Sequence, residues 1–510
     1  MSEETRNVEP GEEFVESYVV LELPRVSVNI LRQRDGSFFY RVEEPSLDEV
    51  SRNVLSWLEE QIVGGRLYEE ISGSPLEEAI TALFERARVR AVRLVRAWRK
   101  RLPENYDPDA AALVAAYYAA RDYVGLGRLE PLVRDPFVED ITCNGSGLPV
   151  YVYHSKYEWL RTSVVLGEEE LDRLVSVLGV RIGRSPTLAR PVVEGVIKGL
   201  GYRVNIELDV VSRRGHSFTI RKPREVVLTV ADLIRGGTLN PRLGAYLWLA
   251  VQYKQGMIVY GPTGSGKTTL INALAMLVPP EYKIVTIEDT PEINLSFHEN
   301  WVPLITRPSR EEGVEPVTLQ SQVEAAMRQR PDLLILGEIR SREAYAFFQA
   351  VATGHGGLTT IHGDDAVSLA RRLASPPMNV PLTMIASVRA FVKIARMSEE
   401  GRVIRRVVKV DEVSGIDHSR EEVVFEEYVR WVGGEWSFSN KQSRLLASIS
   451  DLYFIPIDEL EDEVFRRSLV LLYAAKKGMD RFGFQALIRS YLREPERVVR
   501  KLSSELGGIA

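Results

Sequence analysis

Residues 256–277 read GMIVYGPTGSGKTTLINALAML: an apolar run, a glycine-rich turn and the apolar-periodic start of a helix in direct succession. No other stretch constrains the chain as much, because a strand feeding a helix through such a turn belongs in an open α/β sheet. Gly261, Gly264 and Gly266 let the backbone turn its N–H groups toward one point, where they can face the β- and γ-phosphates of a nucleotide. Lys267 supplies a point charge there, and the Thr268 hydroxyl can ligate Mg2+. Gly261, Pro262, Thr263, Gly264, Ser265, Gly266, Lys267, Thr268 and Thr269 thus read as a phosphate loop for ATP and Mg2+.

Three more apolar runs end in chemistry-bearing residues. KIVTIEDTPEINL (283–295) carries Glu288, Asp289 and Glu292, and PDLLILGEIR (331–340) carries Gly337, Glu338 and Arg340. TGHGGLTTIH (353–362) has His355 before its run and His362 after it. In an open α/β sheet the strand ends on one edge gather around the ligand crevice, which brings at least one acid of the first group toward the phosphates. The second run lacks the aspartate that usually ends such a strand, with Gly337 and Glu338 standing in its place. Two of the six histidines fall within this third segment, which favours phosphate sensing or subunit signalling; no Cys or third His stands at zinc-ligand spacing.

At 510 residues the chain exceeds what one core usually serves, and 45% hydrophobic content suffices for several. Helix-spaced patterns from about 47 to 125 predict a helical N-terminal subdomain over 1–125. Short β-like runs predict an α+β subdomain over 126–225, and alternating runs and helices predict the catalytic α/β domain over 226–400. Residues 401–510 read as β-like runs followed by helices, an extension of that domain. A net charge of −6 gives no global basic footprint, although RARVRAVRLVRAWRKR (86–101) could meet nucleic acid or anionic lipid. The acidic start is not an export signal, and no apolar run reaches the roughly 20 residues of a membrane span, so any membrane role is expected to be peripheral. The single Cys143 permits neither an intrachain disulfide nor a cysteine-cluster zinc site and points to a reduced, cytosolic compartment.

In their order and spacing these segments closely resemble the type II and type IV secretion ATPase superfamily. They match its Walker A at 261–268, its Asp box at 286–292, its aspartate-less Walker B at 333–338 and its His box at 354–362. The resemblance runs from about 125 to 400 and is nearest to the archaeal branch of archaellum motors and pilus or secretion ATPases. A chain with Cys143 alone cannot carry the four-cysteine zinc insertion common in bacterial type II members. What the resemblance implies is an Mg-dependent ATPase with a RecA-like domain behind an ATP-covering domain. It further implies a homohexameric ring at the cytoplasmic face of a membrane, acting on a polytopic platform protein, with no nucleic acid expected. Glu338 would serve Mg2+ with Thr268, through water, and Glu292 would polarise the attacking water. Glu288, Lys267, His355 and His362 would complete the catalytic set, with Arg203, Arg214, Arg221 and Arg328 bringing positive charge across an interface. A RecA-like nucleic-acid translocase is the alternative, disfavoured by the acidic chain.

Overall fold

The computed structural model describes residues 12–65, 76–104, 106–197, 199–222, 227–307, 315–399 and 402–506. The chain divides into two compact units, Met1–Glu225 and Val226–Ala510. The acidic stretch 1–11 and the expected boundary at 225/226, within residues 223–226, lie outside the described residues.

The first unit opens with strands β1 (Glu13–Leu21), β2 (Val26–Arg32) and β3 (Phe38–Glu43), followed by helices α1 (Glu49–Val63), α2 (Leu76–Ala97), α3 (Pro108–Tyr123) and α4 (Glu130–Arg134). Then come β4 (Val138–Cys143), β5 (Pro149–His154), β6 (Glu158–Val165), α5 (Glu168–Arg181), β7 (Val192–Val196), β8 (Arg203–Glu207) and β9 (Ser217–Arg221). Among the described residues these nine strands form one sheet in the order β1-β2-β3-β6-β5-β4-β9-β8-β7. Residues 1–125 are therefore not a purely helical subdomain, since β1–β3 extend the sheet of the following segment through a parallel β3–β6 pairing. The local reason is the burial of β2, where Val26, Val28, Ile30 and Leu31 are all nearly inaccessible. The long-range reason is Asp135, wholly buried, whose Oδ2 accepts from the hydroxyls of Tyr18 at 2.7 Å and Tyr40 at 2.6 Å. Helices α1–α3 have a separate core, in which Ala87 and Ala91 of α2 and Ala112, Ala115 and Ala116 of α3 are buried together. Asp107 caps α3 from the residue before Pro108, a start that proline at N1 favours.

In the second unit α6 (Val230–Arg235) and α7 (Pro241–Gln252) lead into β10 (Gly256–Tyr260), α8 (Lys267–Ala275), β11 (Ile284–Glu288), β12 (Trp301–Ile305), α9 (Leu319–Met327), β13 (Leu333–Leu336), α10 (Glu343–Ala352), β14 (Gly356–Ile361), α11 (Ala366–Ala374) and α12 (Leu382–Ile385). The chain continues through β15 (Val388–Glu399), β16 (Arg402–Asp417), β17 (Glu422–Val432), β18 (Glu435–Phe438), α13 (Arg444–Tyr453), α14 (Ile457–Lys477), α15 (Arg481–Arg493) and α16 (Pro495–Leu506). The sheet order is β12-β11-β13-β14-β10-β15-β16-β17-β18, parallel from β12 to β15 and antiparallel beyond. Every residue of β10, β11, β13 and β14 is buried, as expected of central parallel strands covered on both faces. One face packs on a core that includes Leu270 of α8, Trp248 of α7 and Leu471 of α14; the other packs on a core with Phe347 of α10 and Leu369 of α11. The C-terminal ends of β10, β11, β13 and β14 therefore share one edge, and the phosphate loop leaves the sheet there. Among the described residues no helix is long and apolar enough to cross a membrane.

Candidate nucleotide site

The loop between β10 and α8 depends on its glycines. At Gly261 a Cβ would lie 2.0 Å from the carbonyl oxygen of Ile394 on neighbouring β15, so no side chain fits. Gly266, the N-cap of α8, holds φ at 94°, a left-handed conformation that turns the chain into the helix. The uncapped N–H groups and the positive end of α8 thus converge on the loop. Lys267 is the first residue of that helix, and its Nζ donates to the carbonyls of Gly261 at 3.1 Å and Pro262 at 3.0 Å. Burial pulls this lysine below its ordinary pKa, against the opposing charges of Glu338 and Glu292. Ser265 is buried, and its hydroxyl has no partner among the described residues. A buried hydroxyl left without a partner at this turn fits a loop built to close on an anion.

His362 follows β14 and sits between this loop and the acid of the next strand. Its Nδ1 lies 3.2 Å from Lys267 Nζ, and its Nε2 lies 3.0 Å from Glu338 Oε1. One tautomer serves both contacts, with Nε2–H donating to the carboxylate and Nδ1 accepting from the ammonium. The other oxygen of Glu338, Oε2, accepts from Arg340 Nη2 at 2.6 Å. A continuous polar chain, Lys267–His362–Glu338–Arg340, therefore spans the ends of β10, β14 and β13. Oxygen donors of the hard type that Mg2+ prefers are present in Thr268, half-buried in the first turn of α8, and in Glu338, whose side chain is 21% exposed. Among the described residues no group of three or more His, Cys, Asp or Glu converges into a self-sufficient metal cage.

The acids of β11 behave differently. Glu288 is only 4% exposed, and its Oε1 accepts from the N–H groups of Glu292 at 2.9 Å and Ile293 at 3.1 Å. Burial pushes its carboxyl up to about 7 in spite of those two donors. Asp289 accepts from the Thr306 hydroxyl at 3.0 Å. Glu292 is exposed and electrostatically coupled to both Lys267 and Glu288.

The structure does not bring every expected residue to this edge. His355 precedes β14 at the opposite edge, with Nδ1 3.1 Å from the Ala350 carbonyl oxygen. Seven steps of about 3.3 Å along the extended chain separate the two histidines, which places His355 roughly 23 Å from His362. Arg328 is the exposed C-cap of α9, just before β13 begins and thus also away from the strand ends that hold the site. Arg203, Arg214 and Arg221 belong to the first unit. Arg203 and Arg221 stand opposite each other on β8 and β9, each near an acid, Glu194 at 3.6 Å and Asp140 at 4.0 Å. Arg214 lies in the turn leading to β9, its carbonyl oxygen 2.2 Å from where a Cβ on Gly145 would stand. A residue that motif reading missed is Arg405 of β16, whose Nε donates to the Gly264 carbonyl at 3.0 Å. It lies 141 residues from the loop it touches and carries no local signal.

Fold and site together define a RecA-like phosphate-loop domain. Residues 200–421 match the model of the type II/IV secretion system protein family. An uncharacterized protein of Methanocaldococcus jannaschii is 40% identical over 319 residues, 62% of this chain and 57% of that protein. A second uncharacterized protein of the same organism is 39% identical over 238 residues, 46% of this chain and 88% of that protein. The type IV secretion system protein PtlH of Bordetella pertussis is 34% identical over 267 residues, 47% of this chain and 78% of PtlH. Among solved structures, the VirB11 ATPase of the Brucella suis type IV secretion system aligns with 27% identity and a TM-score of 0.29, over 55% of this chain and 92% of that one. The chain belongs to the type II/IV secretion system protein family. It spans 57% of the first relative's length.

Proposed function

We propose that the chain is an ATP-hydrolysing motor subunit of a type II secretion, type IV pilus-like or archaellum machine. The observation that carries this is the polar chain from Lys267 through His362 to Glu338, which ties the phosphate loop to the acid of the neighbouring strand end. Phosphoryl transfer to water needs little covalent help; it needs positioned groups and positive charge where negative charge develops. Lys267 and the N–H groups of the loop and of α8 bind and orient the phosphates. Thr268 and Glu338 would hold Mg2+, Glu338 through water, and the ion would supply neutralisation of phosphate charge. Glu292, on the exposed loop after β11, orients and deprotonates the attacking water. His362 contacts both Lys267 and Glu338, so a change at the phosphates is felt at the acid.

Arg203, Arg214 and Arg221 add charge from the first unit of the same or a neighbouring subunit in a homohexameric ring. Arg328 is proposed to act only across such an interface. Loss of the γ-phosphate would then release the closure that those cations maintain, and the motion is passed to a polytopic membrane protein while the ring stays peripheral at the cytoplasmic face. The test is phosphate release by the purified chain with Mg-ATP beside its Glu338→Gln variant. The variant is expected to bind nucleotide and turn over at least about 100-fold more slowly. Near-normal turnover would remove Glu338 from the role assigned to it.

A further inference from the structure

Gly337 directly follows β13, where phosphate-loop folds ordinarily place an aspartate, and the neighbour across the sheet supplies a reason. β11 and β13 run parallel, with Ile287 beside Leu336 and the Gly337 N–H donating to the Ile287 carbonyl at 2.9 Å, so Glu288 and Gly337 are the next pair along. A Cβ on Gly337 would lie 3.1 Å from Cγ of Glu288 and 3.6 Å from its Cβ. Gly337 cannot retreat, because the Thr360 hydroxyl donates to its carbonyl at 2.7 Å from the far side of the pair, on β14. Its φ lies outside the left-handed region, so lateral space and not backbone conformation is what calls for glycine here.

We propose that Glu288 is a positioning residue occupying the space that the ordinary aspartate side chain fills, and that Gly337 is the gap that admits it. The Glu288 side chain bends over Gly337 and spends Oε1 on the N–H groups of Glu292 and Ile293. It thereby fixes the loop that presents Glu292. A carboxyl buried and committed to two backbone donors is a loop anchor, not a ligand for a hydrated divalent cation. The two arrangements exclude each other, since an aspartate at 337 would press a second buried carboxylate against the first. Acid chemistry at this strand end accordingly moves one residue on, to Glu338, which reaches His362 and Arg340 instead. For its effect on turnover the proposal rests on the ATPase function above; the packing of 288 against 337 does not.

The test is a double-mutant cycle between positions 288 and 337, read both as turnover and as melting temperature. Gly337→Ala is expected to slow turnover about 10-fold, since forcing one methyl group into a packed site displaces the neighbour. Glu288→Ala is expected to slow turnover about 100-fold through a misplaced Glu292, with the Mg2+ and ATP half-saturation concentrations within about 2-fold of wild type. Glu288→Gln, which keeps an acceptor oxygen, should recover most of that loss. In the Glu288→Ala background Gly337→Ala should cost almost nothing further in turnover or melting temperature, the clash partner being gone. Equal costs of Gly337→Ala in both backgrounds overturn the coupling. A large rise in the Mg2+ half-saturation concentration in both Glu288 variants makes Glu288 a metal ligand and overturns the positioning role. If the wild-type chain hydrolyses no ATP, the function fails while the melting cycle still decides the packing.

Discussion

The two ends of β14 carry one histidine each and differ in what surrounds them. At its C-terminal end His362 bridges Lys267 and Glu338. At its N-terminal end His355 closes a turn against the carbonyl oxygen of Ala350 and the hydroxyl of Thr353. They are seven residues apart in one motif, yet an extended strand sends them to opposite edges of the sheet. The edge where parallel strands end collects the helix N-terminus, the glycine loop and the acids; the other edge collects helix C-termini and turns. Spacing within a motif says which strand a residue flanks, and strand direction says whether it meets the ligand.

Four measurements can break or sharpen this contrast. Removing the ammonium at the C-terminal edge, Lys267→Ala, is expected to lower turnover by about 1,000-fold or more, measured as phosphate release, because the positive charge at the phosphates is lost. His362→Ala is expected to lower turnover about 10- to 100-fold with nucleotide binding retained, whereas His355→Ala should stay within about 2-fold under the same assay. Equal losses for the two histidines would void the distinction between the edges.

The third concerns pH. Burial raises the Glu288 carboxyl to about 7 from an ordinary value of 4.5, so the folded state holds a proton that the unfolded chain releases. The stability from that proton is fully present below about pH 4.5 and is lost as pH rises through 7, a difference on the order of 3 kcal/mol. Urea unfolding at pH 5 and pH 8 should therefore show wild type losing more stability than Glu288→Gln on going to the higher pH. Identical pH dependences would mean that the carboxyl is not desolvated as described. The smallest effect belongs to Arg405, whose replacement by alanine removes one hydrogen bond to the loop and should raise the ATP half-saturation concentration about 3- to 10-fold.

Much of the strand-end site is legible in the sequence alone. The glycine loop, Lys267, Thr268, Glu338 and His362 lie in short segments whose strand–turn–helix order is written locally. The strands β1–β3 are not, because their place is secured by Tyr18 and Tyr40 meeting Asp135, 117 and 95 residues away. The same is true of Arg405 on the phosphate loop and of the crowding between Glu288 and Gly337.

By itself the sequence determined the phosphate loop and the set of groups at its strand ends, since backbone turns and helix starts depend on adjacent residues. Only the tertiary structure decided which of those groups meet. The order β11-β13-β14-β10 lays Glu288 against Gly337 and His362 between Lys267 and Glu338, and that order follows from hydrogen bonding and burial summed over the whole sheet.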